Sequence, residues 1–221
     1  MREVAENVYL IPKDEPVRVY NGATIYGRDY HTLKSPKWLN DQVITAYLYL
    51  IQERSEQRTR FPKVYSYPSY IYTRLTTCGY AIMTDGFLGT HNIFLFELVF
   101  FPIGMDSHWV LAAIDNRYNT ISIYDSLPCH RRASEVLNQI ITFVNNEHFR
   151  LFDRPMRRRY TLRAPRNIPF QTNGVDCGIF VCLYAEHLAR LAPFNFTQAS
   201  IWKSRLIITY ELYRGILLTD V

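Results

Sequence analysis

The sequence predicts an α+β or mixed α/β domain. Three observations carry that reading: a nearly continuous apolar run from Phe94 to Ile103, two shorter strand-like segments after it, and amphipathic helical patterns on either side without strict alternation. A chain of 221 residues, 48% hydrophobic and 20% charged, suits one globular domain spanning residues 1–221, and no Gly-, Ser- or Pro-rich linker divides it. The first ~30 residues read as short strand-like pieces broken by Pro12, Pro16 and Gly22. Val43, Ile44, Tyr47, Leu48 and Ile51 recur at helical spacing, with Asn40 or Asp41 available as the cap and Arg54 to Arg60 as a polar exit. Tyr65, Tyr67, Tyr70 and Tyr72 surround Pro68 and read as core or loop packing. Phe94 to Ile103 reads as a buried strand, followed by strands at His108–Ile114 and Thr120–Asp125 with a turn at Asp115–Asn119. Val136, Leu137, Ile140, Ile141 and Val144 mark an amphipathic helix, and Tyr160–Leu162 a short strand. Two helices close the chain, near Cys177–Leu191 and Thr197–Leu217.

Composition bounds the function. No apolar run reaches the ~18 residues of a membrane span, and Met1–Glu6 makes a poor signal peptide, so an intracellular protein, nuclear or cytoplasmic, is expected. Cys78, Cys129, Cys177 and Cys182 then read as free thiols. Apart from the adjacent Cys129-His130, histidines and cysteines do not cluster at zinc-ligand spacing, so no metal and no cofactor are expected. The net charge of +5 and the runs Arg131-Arg132 and Arg157-Arg158-Arg159 read as solvated surface in preference to a nucleic-acid site, with an acidic protein partner as a third option.

The chemistry concentrates in Gln171–Cys182, where Cys177 stands at the start of an apolar helix six positions after Gln171. Upstream lie His108-Trp109 and Tyr124-Asp125-Ser126. Histidine, aspartate, glutamine and cysteine make a full inventory for thiol-based acyl transfer. If Ile114 pairs with Asn119, His108 lies directly opposite Asp125 on one sheet face, where a carboxylate orients an imidazole. Asp176 is expected to cap the last-but-one helix, whose N-terminal amides favour an anionic sulfur at Cys177. Gly178 is expected to leave the backbone beside the sulfur open to a bound peptide, and the Cys177 amide and Gln171 side chain are the candidate oxyanion donors. Each of these residues alone reads equally well as packing or capping; Cys182 is best read as core. Their joint occurrence in this order is what favours catalysis.

The chain resembles the SUMO-specific (sentrin/Ulp-type) cysteine proteases. The resemblance rests on Trp38-Leu39-Asn40-Asp41, His108-Trp109, Tyr124-Asp125-Ser126-Leu127 and the block Gln171–Gly178, with a looser match from about Ala23 onward. It implies a papain-like core with permuted order, a central mixed sheet flanked by helices. It also implies His108 as general base, Asp125 as orienter, Cys177 as nucleophile and Gln171 as oxyanion donor, with Trp38 and Trp109 lining a narrow tunnel over a C-terminal Gly-Gly. The implied partners are a SUMO-like modifier and its conjugates, handled by a monomer. A Nedd-type or ubiquitin-type modifier, acetyl transfer, and a non-cleaving binding module are the alternatives. One departure stands out: Gly79-Tyr80 is followed by Ala81–Phe87 without the basic, tryptophan-containing segment frequent in the family.

Overall fold

The structure is a computed structural model that describes residues 1–81, 91–127 and 132–218. Cys129-His130, Arg131 and the segment 82–87 lie outside them. In chain order the elements are α1 (Arg2–Val8), β1 (Pro16–Tyr20), β2 (Ala23–Tyr26), α2 (Gly27–Tyr30), α3 (Asp41–Gln57), β3 (Val64–Ser66) and α4 (Tyr70–Cys78). Then follow β4 (Leu98–Met105), β5 (His108–Asp115), β6 (Thr120–Tyr124), α5 (Ala133–Phe152), β7 (Thr161–Arg163), α6 (Cys177–Ala189) and α7 (Ile201–Arg214). A two-stranded β1-β2 ribbon accompanies a five-stranded sheet of order β3-β4-β5-β6-β7. Both outer pairs, β3-β4 and β6-β7, are parallel and the inner two antiparallel, so the sheet is mixed.

Alternation along the central strands divides the core in two. Leu98, Phe100, Leu111 and Ala113 face α3 and α6, whereas Val99, Phe101, Val110, Ala112 and Ile123 face α4 and α5. Helix α6 is buried nearly all round, which explains why its sequence is apolar without an amphipathic stripe. The long helix α5 covers only one face of the sheet, and Val136, Leu137, Ile140 and Val144 are its buried stripe. Among the described residues no helix is long and apolar enough to cross a membrane.

Three expectations change. The N-terminal segment opens with helix α1, whose Ala5 and Val8 are buried; α1 packs against α7, a tertiary contact that local composition does not encode. Arg54 is not part of a polar exit: it is buried and its guanidinium bonds Glu186 of α6 at 3.0 Å. The β5-β6 hairpin is shifted by two residues, with Ile114 opposite Ile121 and Ala112 opposite Ile123. The turn keeps four residues but moves one position along the chain, to 116–119: Asp115 pairs with Thr120, accepts the Arg117 backbone N–H at 3.0 Å and pairs with its guanidinium, while Asn119 takes a left-handed conformation. A slip of two preserves which face each side chain occupies.

Gly178 also has a different role from the one expected. A Cβ there would stand 2.8 Å from Leu39 Cβ and 3.1 Å from Ile44 Cδ1, so the glycine lets α6 seat against the start of α3. Gly178→Ala is expected to destabilise the protein by about 1–3 kcal/mol through overpacking, read as a lower urea midpoint with an unchanged slope. A midpoint equal to wild type would refute the tight fit.

Candidate active site

The first side chain of β5, His108, lies at the end of the sheet. Its Nε2 is 2.7 Å from Asp125 Oδ1, although Asp125 follows the last residue of β6 and is not its directly opposed partner. The two meet as diagonal neighbours on one face, which a two-residue slip allows. The same Asp125 oxygen accepts the Leu127 N–H at 2.9 Å, fixing the carboxylate. With Nε2 engaged, Nδ1 is the nitrogen left to face Cys177, whose side chain is near enough to influence the ring's ionisation. Burial alone would draw the imidazole pKa down; the bond to Asp125 and the neighbouring Cys177 outweigh it and raise the value from 6.5 to about 9. At neutral pH the ring is therefore an imidazolium held between a carboxylate and a sulfur.

Cys177 is the first residue of α6 and is 2% exposed, so its sulfur sits where the unpaired N-terminal amides and helix dipole favour negative charge. Asp176 stands in the cap position without making the cap bond. Its carboxylate turns inward to Arg205 of α7, with Nη2 at 2.6 Å and Nε at 3.0 Å, and also accepts from Asn173 and Gln198. Burial would raise its pKa; the hydrogen bonds from Asn173, Arg205 and Gln198 overcome that and lower it below the usual carboxylate value. Arg205 spends its other donors on the carbonyls of Thr32, Leu33, Lys37 and Val175. One guanidinium thus ties the cysteine loop to the segment leading to Trp38. Sequence reasoning missed Arg205 because an arginine within a helical pattern has no local mark of burial.

Gln171 is buried, and its amide has a definite orientation. Nε2 donates to the Asn173 carbonyl at 2.6 Å, a group that only accepts, and Oε1 receives the Ser126 hydroxyl at 2.6 Å. The Gln171 backbone N–H also donates to the Ser126 carbonyl at 2.8 Å. The second Nε2 proton is not used in that bond. The Asn173 carbonyl sets this orientation, and Ser126, which carried no role in the sequence reading, holds the amide's other end. Among the described residues no three His, Cys, Asp or Glu side chains converge as a metal site requires.

The two tryptophans meet at one short stretch. Trp38 is half-exposed and its Nε1 donates to Gly174 O at 2.7 Å, across to the cysteine loop. Trp109 Nε1 donates to the carbonyl of Leu39 at 3.2 Å, one residue beyond Trp38. Asn40 caps α3 by accepting the Val43 N–H at 3.1 Å and donates to Asp29 at 2.8 Å. That cap holds the stretch in register with the sheet. Beside His108 and Asp125 opens a cavity of about 260 Å³, lined also by Met105, Ile123 and the ion pair of Arg132 with Asp106.

Residues 37–213 match the family described as the Ulp1 protease family, C-terminal catalytic domain. The chain belongs to this family. A sentrin-specific protease of Caenorhabditis elegans is 31% identical over 195 residues, 88% of this chain and 28% of its own length. Sentrin-specific protease 2 of Homo sapiens is 30% identical over 202 residues, 91% of this chain and 34% of its own length. The chain therefore spans about a third or less of these curated relatives. In fold it is similar to the C-terminal Ulp1 protease domain solved in complex with Smt3, the yeast ortholog of SUMO: TM-score 0.83 and 24% identity, covering 97% of this chain and 94% of that one. The α+β, papain-like core with its central mixed sheet agrees with that likeness.

Two outcomes test the site's geometry. Asp125→Asn removes the anion that favours the imidazolium, so the His108 titration midpoint falls from about 9, followed by NMR of the ring protons; an unmoved midpoint would sever the pair. Arg205→Met leaves Asp176 buried without its cation and is expected to cost about 3–5 kcal/mol in a denaturant titration. A loss under ~1 kcal/mol, the range of surface pairs, would deny it that role.

Proposed function

We propose that this protein is a thiol isopeptidase and endopeptidase that cleaves after the C-terminal Gly-Gly of SUMO-like modifiers, releasing them from lysine side chains and trimming their precursors. The observation that carries the reading is the His108–Asp125 bond at 2.7 Å beside a cysteine that opens α6. Membership of the family and the likeness to sentrin-specific proteases support the choice of modifier. Residues 1–221 act as one catalytic domain, as a monomer without cofactor, in the nucleus or cytoplasm.

In this mechanism the Cys177 sulfur attacks the carbonyl carbon of the terminal glycine while His108 is an imidazolium. The negative charge passes to the carbonyl oxygen, which is met by the free Nε2 proton of Gln171 and the backbone N–H of Cys177. His108 gives its proton to the departing lysine amine as the C–N bond breaks, leaving a thioester and a neutral ring. The ring then takes a proton from water as its oxygen attacks the thioester, and the sulfur leaves. Asp125 holds the ring's tautomer and stabilises its charged form throughout. Trp38 and Trp109 wall the approach with flat aromatic surfaces, so that glycine, with no Cβ, threads to the sulfur while larger residues do not.

The test pairs a modifier probe bearing a C-terminal vinyl sulfone with a conjugate substrate. Wild type is expected to be labelled and to cleave; Cys177→Ala is expected to lose both while still binding modifier. Gln171→Ala is expected to lower kcat about 100- to 1000-fold with binding retained. Preferential labelling by a Nedd-type or ubiquitin-type probe would change the substrate and keep the chemistry. Binding without turnover by wild type would make the protein a recognition module.

A further inference from the structure

Six arginines, at positions 154, 157, 158, 159, 163 and 166, fall within a stretch that holds no acidic residue. They outnumber the net +5 of the whole chain, so the remainder carries a slight negative balance. All six are exposed. Among the described residues no carboxylate pairs with any of them, whereas Arg54, Arg117, Arg150, Arg190 and Arg205 each have a carboxylate partner. A positive field this concentrated and unneutralised attracts an acidic ligand.

The same stretch contains an open strand. β7 is the edge of the five-stranded sheet, and Thr161, Leu162 and Arg163 are exposed. Thr161 turns its N–H to Asn119 O on the β6 side at 2.9 Å, so alternation points the N–H and C=O of Leu162 away from β6, toward solvent. Unpaired groups of this kind are a template for a further strand. Immediately before the strand lies a cavity of about 190 Å³, walled by Phe94, Phe152 and Met156 between Arg154 and Arg158. Phe152 is 42% exposed there, and the cavity has room for an apolar side chain.

We infer that this edge docks an extended acidic segment of a partner protein, which adds as a strand beside β7, sets carboxylates against the arginines and seats one apolar side chain in the cavity. Charge alone would serve phosphates equally well. The open backbone of Leu162 and the apolar cavity favour a peptide, because strand addition supplies affinity through main-chain bonds and specificity through a side-chain pocket.

The experiment uses fluorescence anisotropy with a short labelled peptide that alternates glutamate and valine around one phenylalanine. Its lysine-for-glutamate counterpart and an oligothymidylate serve as comparators. The acidic peptide is expected to bind best, and the combined Arg157→Glu, Arg158→Glu and Arg159→Glu variant to weaken it at least about tenfold. Cys177 labelling should persist in that variant, which separates this surface from the proposed catalysis. In wild type, hydrogen exchange at the Leu162 amide should slow when the peptide is added, a readout that depends on no variant. No binding to the acidic peptide, equal binding of the lysine peptide or the oligothymidylate, or an unchanged Leu162 exchange rate would each overturn the inference.

Discussion

The arrangement of the site depends on one buried ion pair. Arg205 reaches from α7 to Asp176, and around that pair the cysteine loop and the chain before Trp38 are fastened together. Both side chains are nearly excluded from water, at 3% and 7% exposure, so each charge needs the other to be tolerated there. The carboxylate is fully engaged by Arg205, Asn173 and Gln198. It therefore shapes the loop preceding the helix and leaves the α6 amides unanswered by a side chain. An acidic cap bonded to those amides would compete with a negative sulfur for the same positive helix end. Turning Asp176 away leaves that end to Cys177.

Around this fixed loop the polar groups divide their tasks by geometry. The sheet brings His108 and Asp125 to its end, and the helix brings the sulfur to meet them. Gln171 is held at three points, two on Ser126 and one on Asn173, so its remaining amide proton keeps one direction, as the proposed oxyanion role requires. Donors that need no reorganisation stabilise developing charge more than donors that must be recruited from solvent. The elevated imidazole pKa belongs to the same design: burial opposes the charge, and the carboxylate and sulfur more than restore it.

Much of this was legible from the residues. The strand and helix patterns of α3, β5, β6, α5 and α6 stood out because each buries one face or all of itself. His108 bonds Asp125, Cys177 opens α6, and Gln171 is buried beside Ser126, the residue after Asp125. The hairpin register differs because an Asp-Asn-Arg-Tyr-Asn turn can be closed by more than one pair; the Asp115–Arg117 contacts within the turn are invisible to periodicity. Asp176 was read as a cap because cap preference is local, whereas its real partner lies 29 positions away. Arg54, Arg205 and helix α1 were missed for a related reason: their burial comes from distant elements. Ser126 sat inside a recognised motif, yet its hydroxyl acquires meaning only when Gln171 is placed against it.

The close fit at Gly178 carries a wider implication. The residue after the thiol touches Leu39, which is itself the neighbour of Trp38 and the carbonyl partner of Trp109. The proposed reaction centre and the two tryptophans therefore adjoin through one leucine, with no room for an added methyl group at Gly178. A change at Leu39 would be felt at both the Trp109 bond and the first turn of the cysteine's helix. New preferences would arise more readily on outlying surfaces, where sequence drifts without disturbing the chemistry.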